Sequence, residues 1–209
     1  MKDEPSVAIH EAVYRSLRSK IMFGEIEPGR VFSIRGLATE FKVSMTPIRE
    51  ATRRLVAEGA LTMSNSGRIS APLNNSIRRE ELLSIRLLLE PELAVRAVPR
   101  VHSALIERLS LMKQLILKMI KTENSEGYIR TNIEFHKTLY LRAQAPAMLA
   151  LLETVWLQSG PTMAVTVKKD LNKFSTSYHS DILSALRVGN RIDLVQSIKD
   201  TISINSSIS

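Results

Sequence analysis

Two arginines one helical turn apart stand on the polar side of an amphipathic segment near the N-terminus. Ile48, Ala51 and Leu55 fall on one face of a helix drawn through this segment, and Arg49 and Arg53 fall on the opposite face. Guanidinium groups bind DNA phosphates and the edges of guanine. The pattern favours a helix that contacts nucleic acid, and the alternative is a basic helix face that is only solvated.

The same segment begins with residues suited to an exposed helix N-terminus. Ser44 and Thr46 are capping residue types, and Pro47 is tolerated in a first turn because the amides there lack partners within the helix. Backbone amides and hydroxyls at such an end bind phosphate. We therefore expect this end of the helix to approach DNA.

A second set of polar residues lies on apolar helix faces in the C-terminal two-thirds of the chain. Asn132 and His136 share one such face, and His179 and Thr201 lie on two others. If the three faces meet, these side chains form one polar cavity. The alternative is that each is a core residue with a local hydrogen bond.

The elements that present the first set are short and separated by tight turns. In order, they are a helix over about residues 7–23, a turn at Pro28-Gly29, a short helix that carries Leu37, a second one from about Ser44 to Gly59, and β-prone runs at 60–64 and 68–71 joined by Asn65-Ser66-Gly67. Together they predict a winged helix-turn-helix domain.

Helical periodicity dominates after Asn74-Asn75-Ser76, where we place a boundary between domains 1–75 and 76–209. Nothing between 77 and 209 alternates like a strand. The predicted helices carry residues 82–93 and 105–119, cover about 128–142 and 146–158, end at Gly189, and cover about 191–204. The fold class is therefore mainly α, with an all-α antiparallel bundle after the winged helix.

Composition excludes several classes of protein. The 209 residues contain no cysteine, which excludes disulfide scaffolds and thiolate metal sites. The net charge of +8 permits a polyanionic partner. We expect no membrane span and no secretory signal, hence a cytoplasmic protein. Nucleotide-binding and hydrolase motifs are missing, so we expect no enzyme.

Residues 10–72 resemble the GntR family of bacterial transcription regulators. The matching stretches are Ile21–Gly29, Leu37-Ala38, Val43–Ala51 and Leu55–Gly59. The resemblance implies a homodimer whose two winged helices read a palindromic double-stranded DNA operator. The DNA-binding positions that we assign are Arg35, Ser44, Met45, Thr46, Arg49, Arg53, Gly67 and Arg68. The family usually has arginine where this chain has Met45, which cannot make a bidentate guanine contact, so operator sequence or affinity should differ.

The C-terminal part resembles the FCD domain, the FadR-type effector module of the GntR family. Leu83–Glu90, Asn132-x-x-Phe135-His136-x-x-Leu139 and His179-x-x-Ile182 through Gly189 carry this resemblance, and the length fits the six-helix variant. Many members bind a divalent metal through one Asp and three His. Here Asn132 stands at the Asp position and Thr201 at one His position, so the resemblance implies at most a weakened site for Zn, Ni or Mn at Asn132, His136 and His179.

The resemblance also implies a small effector in the same cavity, an organic acid, sugar acid or amino acid that modulates operator binding. Its predicted binding residues are Arg86, Asn132, His136, His179 and Thr201. Arg86 is either a cationic anchor for a carboxylate in a metal-free cavity or a structural ion-pair partner of Glu90. In the alternative function, the bundle has lost metal and effector binding and serves only for dimerisation.

Overall fold

The computed structural model describes residues 4–64, 67–73, 75–174 and 177–204, and this part of the chain is mainly helical. None of the helices in these ranges is long and apolar enough to cross a membrane.

The N-terminal part is a winged helix-turn-helix, as predicted. Its elements are α1 (Glu4–Met22), β1 (Val31–Phe32), α2 (Ile34–Phe41), α3 (Met45–Ala57), β2 (Thr62–Met63) and β3 (Ile69–Ser70). The strands form one antiparallel sheet in the order β1-β3-β2. Ser70 of β3 lies opposite Val31 on one side and Thr62 on the other.

This sheet differs from the prediction in two ways. The two predicted strands are only two residues long, and β1 was not predicted. β1 forms only because β3 returns to pair with it, a non-local hydrogen-bond pattern that local sequence does not show. Of the predicted hairpin turn, Asn65 and Ser66 lie outside the described residues, whereas Gly67 has a φ of +76°, a conformation that glycine adopts at low cost.

Six helices form the C-terminal bundle in the described part of the chain, and no strand occurs there. They are α4 (Ser76–Ala97), α5 (Ser103–Lys121), α6 (Ser125–Tyr140), α7 (Pro146–Lys169), α8 (Ser177–Val188) and α9 (Arg191–Ile204). The prediction of α9 was correct at both ends. Fully buried side chains such as Leu93, Phe135 and Ile198 fill the interior.

The predicted end of α7 near Gln158 is wrong, because the helix continues through Gly160 and Pro161 to Lys169. Proline lacks the amide hydrogen that the helix ladder requires. Burial of Met163, Ala164 and Val167 after the proline accounts for the continuation, because it stabilises helix that the local sequence disfavours.

Helix α7 also joins the two halves of the molecule. It packs against α1, and Gly160 lies beside the main chain at the end of α1: a methyl group on Gly160 would lie 2.6 Å from the Met22 carbonyl oxygen. The winged helix therefore rests on the same helix that contributes to the interior of the bundle.

Candidate nucleic-acid interface and buried cavity

The N-terminus of α3 is exposed. Ser44 occupies the N-cap position, but its side chain makes no capping hydrogen bond. Met45 and Thr46 are also exposed, and 46% of the Met45 surface is accessible. The first amides of α3 therefore face outward, as anion binding requires.

The arginines of α3 fall into two groups. Arg49 and Arg53 are exposed on the face predicted for DNA, and within the described ranges their side chains form no ion pair. Arg54, on the side, lies 3.2 Å from Glu11 and 3.6 Å from the centre of the Tyr14 ring. The cations on the outer face are thus available to a ligand, whereas Arg54 has a structural role.

The remaining positions assigned to DNA lie before and after α3 in the sequence, and they are exposed. Arg35 lies in the first turn of α2, which Ser33 caps by accepting a hydrogen bond from the Gly36 amide. Gly67 and Arg68 are exposed next to β3. Contact of these residues with DNA stays a prediction.

A fully buried carboxylate, Glu90, organises the interior of the bundle. Its Oε1 accepts hydrogen bonds from Arg86 Nε at 2.6 Å and from Trp156 Nε1 at 3.1 Å. Its Oε2 accepts a hydrogen bond from the Tyr140 hydroxyl at 3.0 Å. The ion pair with Arg86 was one of the two predicted roles of that arginine. Tyr140 and Trp156 were missed, although Tyr140 lies one turn after His136.

The proton positions in this network fix the tautomer of His136. Burial, assisted by the charge of Arg86, lowers the pKa of His136 to about 3, so the ring is neutral. Tyr140 uses its one O–H to donate a hydrogen bond to Glu90, so its oxygen can only accept one from His136 Nδ1–H, whose nitrogen is 3.2 Å away. The other nitrogen, Nε2, therefore carries a lone pair, and it is buried without a partner among the described residues.

His179 and Asn132 form a second buried pair. His179 Nε2 lies 2.9 Å from Asn132 Oδ1, and because that oxygen can only accept, Nε2 carries the proton. Burial lowers the pKa of His179 to about 3, with smaller contributions from His136 and Lys113, so this ring is neutral too. Within the described ranges, its Nδ1 is buried without a partner.

The predicted effector residues come together only in part. Arg86, Asn132 and His136 line one buried cavity together with Ile133, Trp156, Ser159 and Met163. His179 reaches this group through Asn132. Thr201 is buried, but it donates a hydrogen bond to the Ser197 carbonyl at 2.8 Å and does not line the cavity. Trp156 and Met163 are buried and also form cavity wall.

The space inside the cavity is very small. The volume open to the centre of a water molecule is about 10 Å³, which is room for about one water. A ligand that enters this space must therefore move part of the wall.

The two terminal nitrogens of Arg86 form no hydrogen bond within the described ranges, since only Nε binds Glu90.

The residues present do not suit a resident divalent metal. Two neutral imidazoles are available, but Glu90, the carboxylate that reaches this network among the described residues, already accepts three hydrogen bonds. Asn132 Oδ1 lies 2.9 Å from His179 Nε2, but a neutral amide oxygen is a poor ligand for Zn, Ni or Mn. No group of three or more His, Asp or Glu side chains in the described residues could hold a metal ion.

A polar junction connects the cavity helix α7 to the end of α3. Gln158 Nε2 donates to the main-chain carbonyl of Glu58, the C-cap residue of α3, at 2.8 Å. Arg78, in the first turn of α4, donates to Gln158 Oε1. Arg18 of α1 lies 3.4 Å from Glu58 and 3.8 Å from Glu153 of α7.

Comparison with known proteins identifies both halves. Residues 9–70 match the bacterial regulatory proteins of the gntR family, and residues 81–203 match the FCD domain. The HTH-type transcriptional regulator McbR of Escherichia coli is 24% identical over 189 residues, which cover 88% of this chain and 85% of McbR. The gluconate operon transcriptional repressor of Bacillus subtilis is 27% identical over 191 residues, which cover 87% of this chain and 77% of the repressor.

The solved structure of E. coli McbR/YncC has the same fold. It superposes with a TM-score of 0.89 at 21% identity, and the match covers 95% of each chain.

Proposed function

Because this chain belongs to the gntR family of bacterial regulatory proteins and carries their FCD domain, we propose that it binds an operator and that a small carboxylate in the bundle cavity modulates this binding. Like its relatives, which are transcription regulators, the chain is a transcription regulator and not an enzyme.

The observation that carries DNA recognition by α3 is the group of free cations beside an open helix N-terminus. Arg49 and Arg53 are exposed without ion pairs in the described part of the chain, and the hydroxyl of Ser44 is not used as a cap. In helix-turn-helix proteins this end of the second helix enters the major groove. Met45 stands where the family usually has arginine, so we expect a different operator preference.

Arg86 supports a carboxylate as the effector. Its Nε binds Glu90, and this bond holds the guanidinium plane in place while the two terminal nitrogens remain for a bidentate contact. The ion pair and the anchor are therefore compatible roles. The amide nitrogen of Asn132, which forms no hydrogen bond within the described ranges, adds a further donor at the same wall.

Helix α7 supports coupling between the cavity and DNA. Trp156, Ser159 and Met163 face the cavity, and Gln158 of the same helix holds the end of α3. Because the cavity is nearly filled, a ligand that enters must displace its wall. Displacement of α7 would shift the junction at Glu58 and so the placement of α3.

We propose that the protein is a homodimer on a palindromic operator, with the winged helix in residues 1–75 and the bundle in residues 76–209. Exposed apolar side chains on α4 and α5, Leu88, Leu111 and Leu115, support an interface formed by the bundle. Repression, named for the B. subtilis relative, is the proposed effect on transcription. We propose a cytoplasmic location, because the proposed partner is genomic DNA.

The test begins with selection of a bound duplex from a random library. Affinity for that duplex is then measured by fluorescence anisotropy with and without organic acids, sugar acids and amino acids. Light scattering measures the mass of the complex and so the number of chains bound to each duplex. A palindromic duplex bound by two chains, with affinity changed by an acid, supports the proposal. Tight binding that no acid changes favours the alternative, a bundle that only dimerises.

A further inference from the structure

We propose that His136 is a specificity residue of the cavity: its bare Nε2 accepts a hydrogen bond from a ligand hydroxyl, so the site selects hydroxycarboxylates without a bound metal. This inference rests on the proposed function, because it assumes that the cavity is the effector site. It departs from the metal-dependent site that the resemblance implied.

The tautomer of His136 follows from its hydrogen bonds. Glu90 accepts a hydrogen bond from the Tyr140 hydroxyl, and the Tyr140 oxygen in turn accepts one from His136 Nδ1–H. Nε2 is left as an acceptor, buried and without a partner among the described residues, on a side chain that lines the cavity. A buried acceptor of this kind costs free energy until a donor reaches it.

The other polar groups of the wall supply donors. Arg86 presents its terminal nitrogens, and Asn132 its amide nitrogen. Trp156 and Ser159 already donate their protons, to Glu90 and to the Val155 carbonyl. A carboxylate would accept hydrogen bonds from these donors, and a hydroxyl on the same ligand would donate a hydrogen bond to His136 Nε2.

The charge of Arg86 decides between a hydroxyl and an ammonium group. A ligand ammonium at Nε2 would stand close to the guanidinium, whose charge already disfavours a positive charge on the His136 ring. A hydroxyl donates the same hydrogen bond without a charge. The small cavity also suits a hydroxyl, and the flexible Met163 side chain is the part of the wall that can yield to the carbon skeleton.

The test uses three acids with one carbon skeleton: succinate, malate as both enantiomers, and aspartate. Calorimetric titration of the full-length protein in EDTA should show malate binding about tenfold or more tighter than succinate and aspartate, since a site with a buried polar partner rejects the analogue that lacks it. His136→Leu should abolish this preference, and His136→Gln, which keeps an acceptor, should retain part of it. Lactate, propionate and alanine form a second series.

Three outcomes would overturn the inference: equal binding of succinate or aspartate, absence of binding by every hydroxy acid in both series, or a hydroxyl preference that requires added Zn²⁺. Binding to the selected duplex is measured on the same samples. If malate is selected but does not change the affinity for the duplex, the proposed function is contradicted and the selectivity of the cavity is not.

Nitrogen-15 spectra of the imidazole rings provide a readout that does not depend on any ligand. They should show His136 protonated on Nδ1 and His179 protonated on Nε2, in the presence of EDTA. On addition of malate, the His136 Nε2 resonance should shift as it accepts a hydrogen bond. A proton on His136 Nε2 in the free protein would contradict the inference directly.

Discussion

The side-chain amide of Gln158 donates a hydrogen bond to the main-chain carbonyl of Glu58 across 2.8 Å. Glu58 ends α3, and Gln158 lies two residues from Trp156 and five from Met163, both in the cavity wall. One helix thus contacts both the cavity and the end of α3.

Replacement of Gln158 by Leu removes the donor and keeps a similar volume. We expect the free energy of unfolding to fall by about 1 kcal/mol, because the Glu58 carbonyl loses its partner. Urea unfolding measures this change. The matched control is Gln196→Leu, which removes a hydrogen bond to Asp200 on the exposed side of α9. Equal losses in the two variants would contradict a special role for Gln158.

Gly160→Ala tests the close approach of α1 and α7. Alanine favours helix over glycine by about 1 kcal/mol. At Gly160, however, the new methyl group would meet the carbonyl oxygens of Ile21 and Met22, which are main-chain atoms. We expect a net loss of about 1–3 kcal/mol, measured by thermal unfolding.

The control for that variant is Gly127→Ala, also within a helix. The three atoms nearest to its methyl group belong to the side chains of Met119 and Asn124, not to the main chain. Asn124 can move only by giving up the N-cap hydrogen bond that it accepts from the Gly127 amide, which costs about 1 kcal/mol. It should therefore lose less stability than Gly160→Ala. If Gly160→Ala is as stable as the wild type, the contact between α1 and α7 is looser than described.

Arg49→Ala should weaken binding to the selected duplex by about 1–3 kcal/mol and leave the unfolding midpoint unchanged. Arg49 has no ion pair within the described ranges, so its loss should remove the proposed contact with DNA and break no ion pair there. Arg96→Ala, which removes an exposed arginine paired with Glu92 on α4, is the control and should bind as the wild type does. Anisotropy titrations at two salt concentrations measure both.

The buried histidines make stability depend on pH. The pKa of His136 and that of His179 are lowered by burial from 6.5 to about 3, so the unfolded chain takes up protons there that the folded chain does not. Their contribution is complete above about pH 6.5 and is lost as the pH falls toward 3. Between about pH 5 and 6, His136→Gln should flatten the dependence by about 1 kcal/mol per pH unit. Equal slopes in wild type and variant would show that His136 is not buried as a neutral ring.

Local signals predicted much of this fold. The spacing of Ile48, Ala51 and Leu55 predicted α3 and its exposed face. The position of Asn132 and His136 on an apolar helix face correctly predicted that both are buried. These features depend on helical periodicity, which a single sequence displays.

Features that depend on distant contacts were missed. β1 needs the hydrogen bonds of β3, and α7 passes Pro161 because tertiary burial outweighs the lost hydrogen bond. Thr201 was expected in the cavity and does not line it. The position of a residue on a helix face predicts the direction of its side chain but not how far it lies from the cavity. The three hydrogen-bond donors to Glu90 lie on three different helices, so spacing within one helix cannot predict that they meet.

The most direct test of the account is the affinity of the selected duplex with and without a saturating acid that itself binds the cavity. An acid that acts through α7 should change this affinity by about fivefold or more, as coupling energies of about 1–3 kcal/mol require. Arg86→Lys, which keeps the charge but loses the forked donor, should weaken acid binding and diminish the change. Identical duplex affinity at zero and saturating acid would contradict the account and leave the bundle as a dimerisation domain.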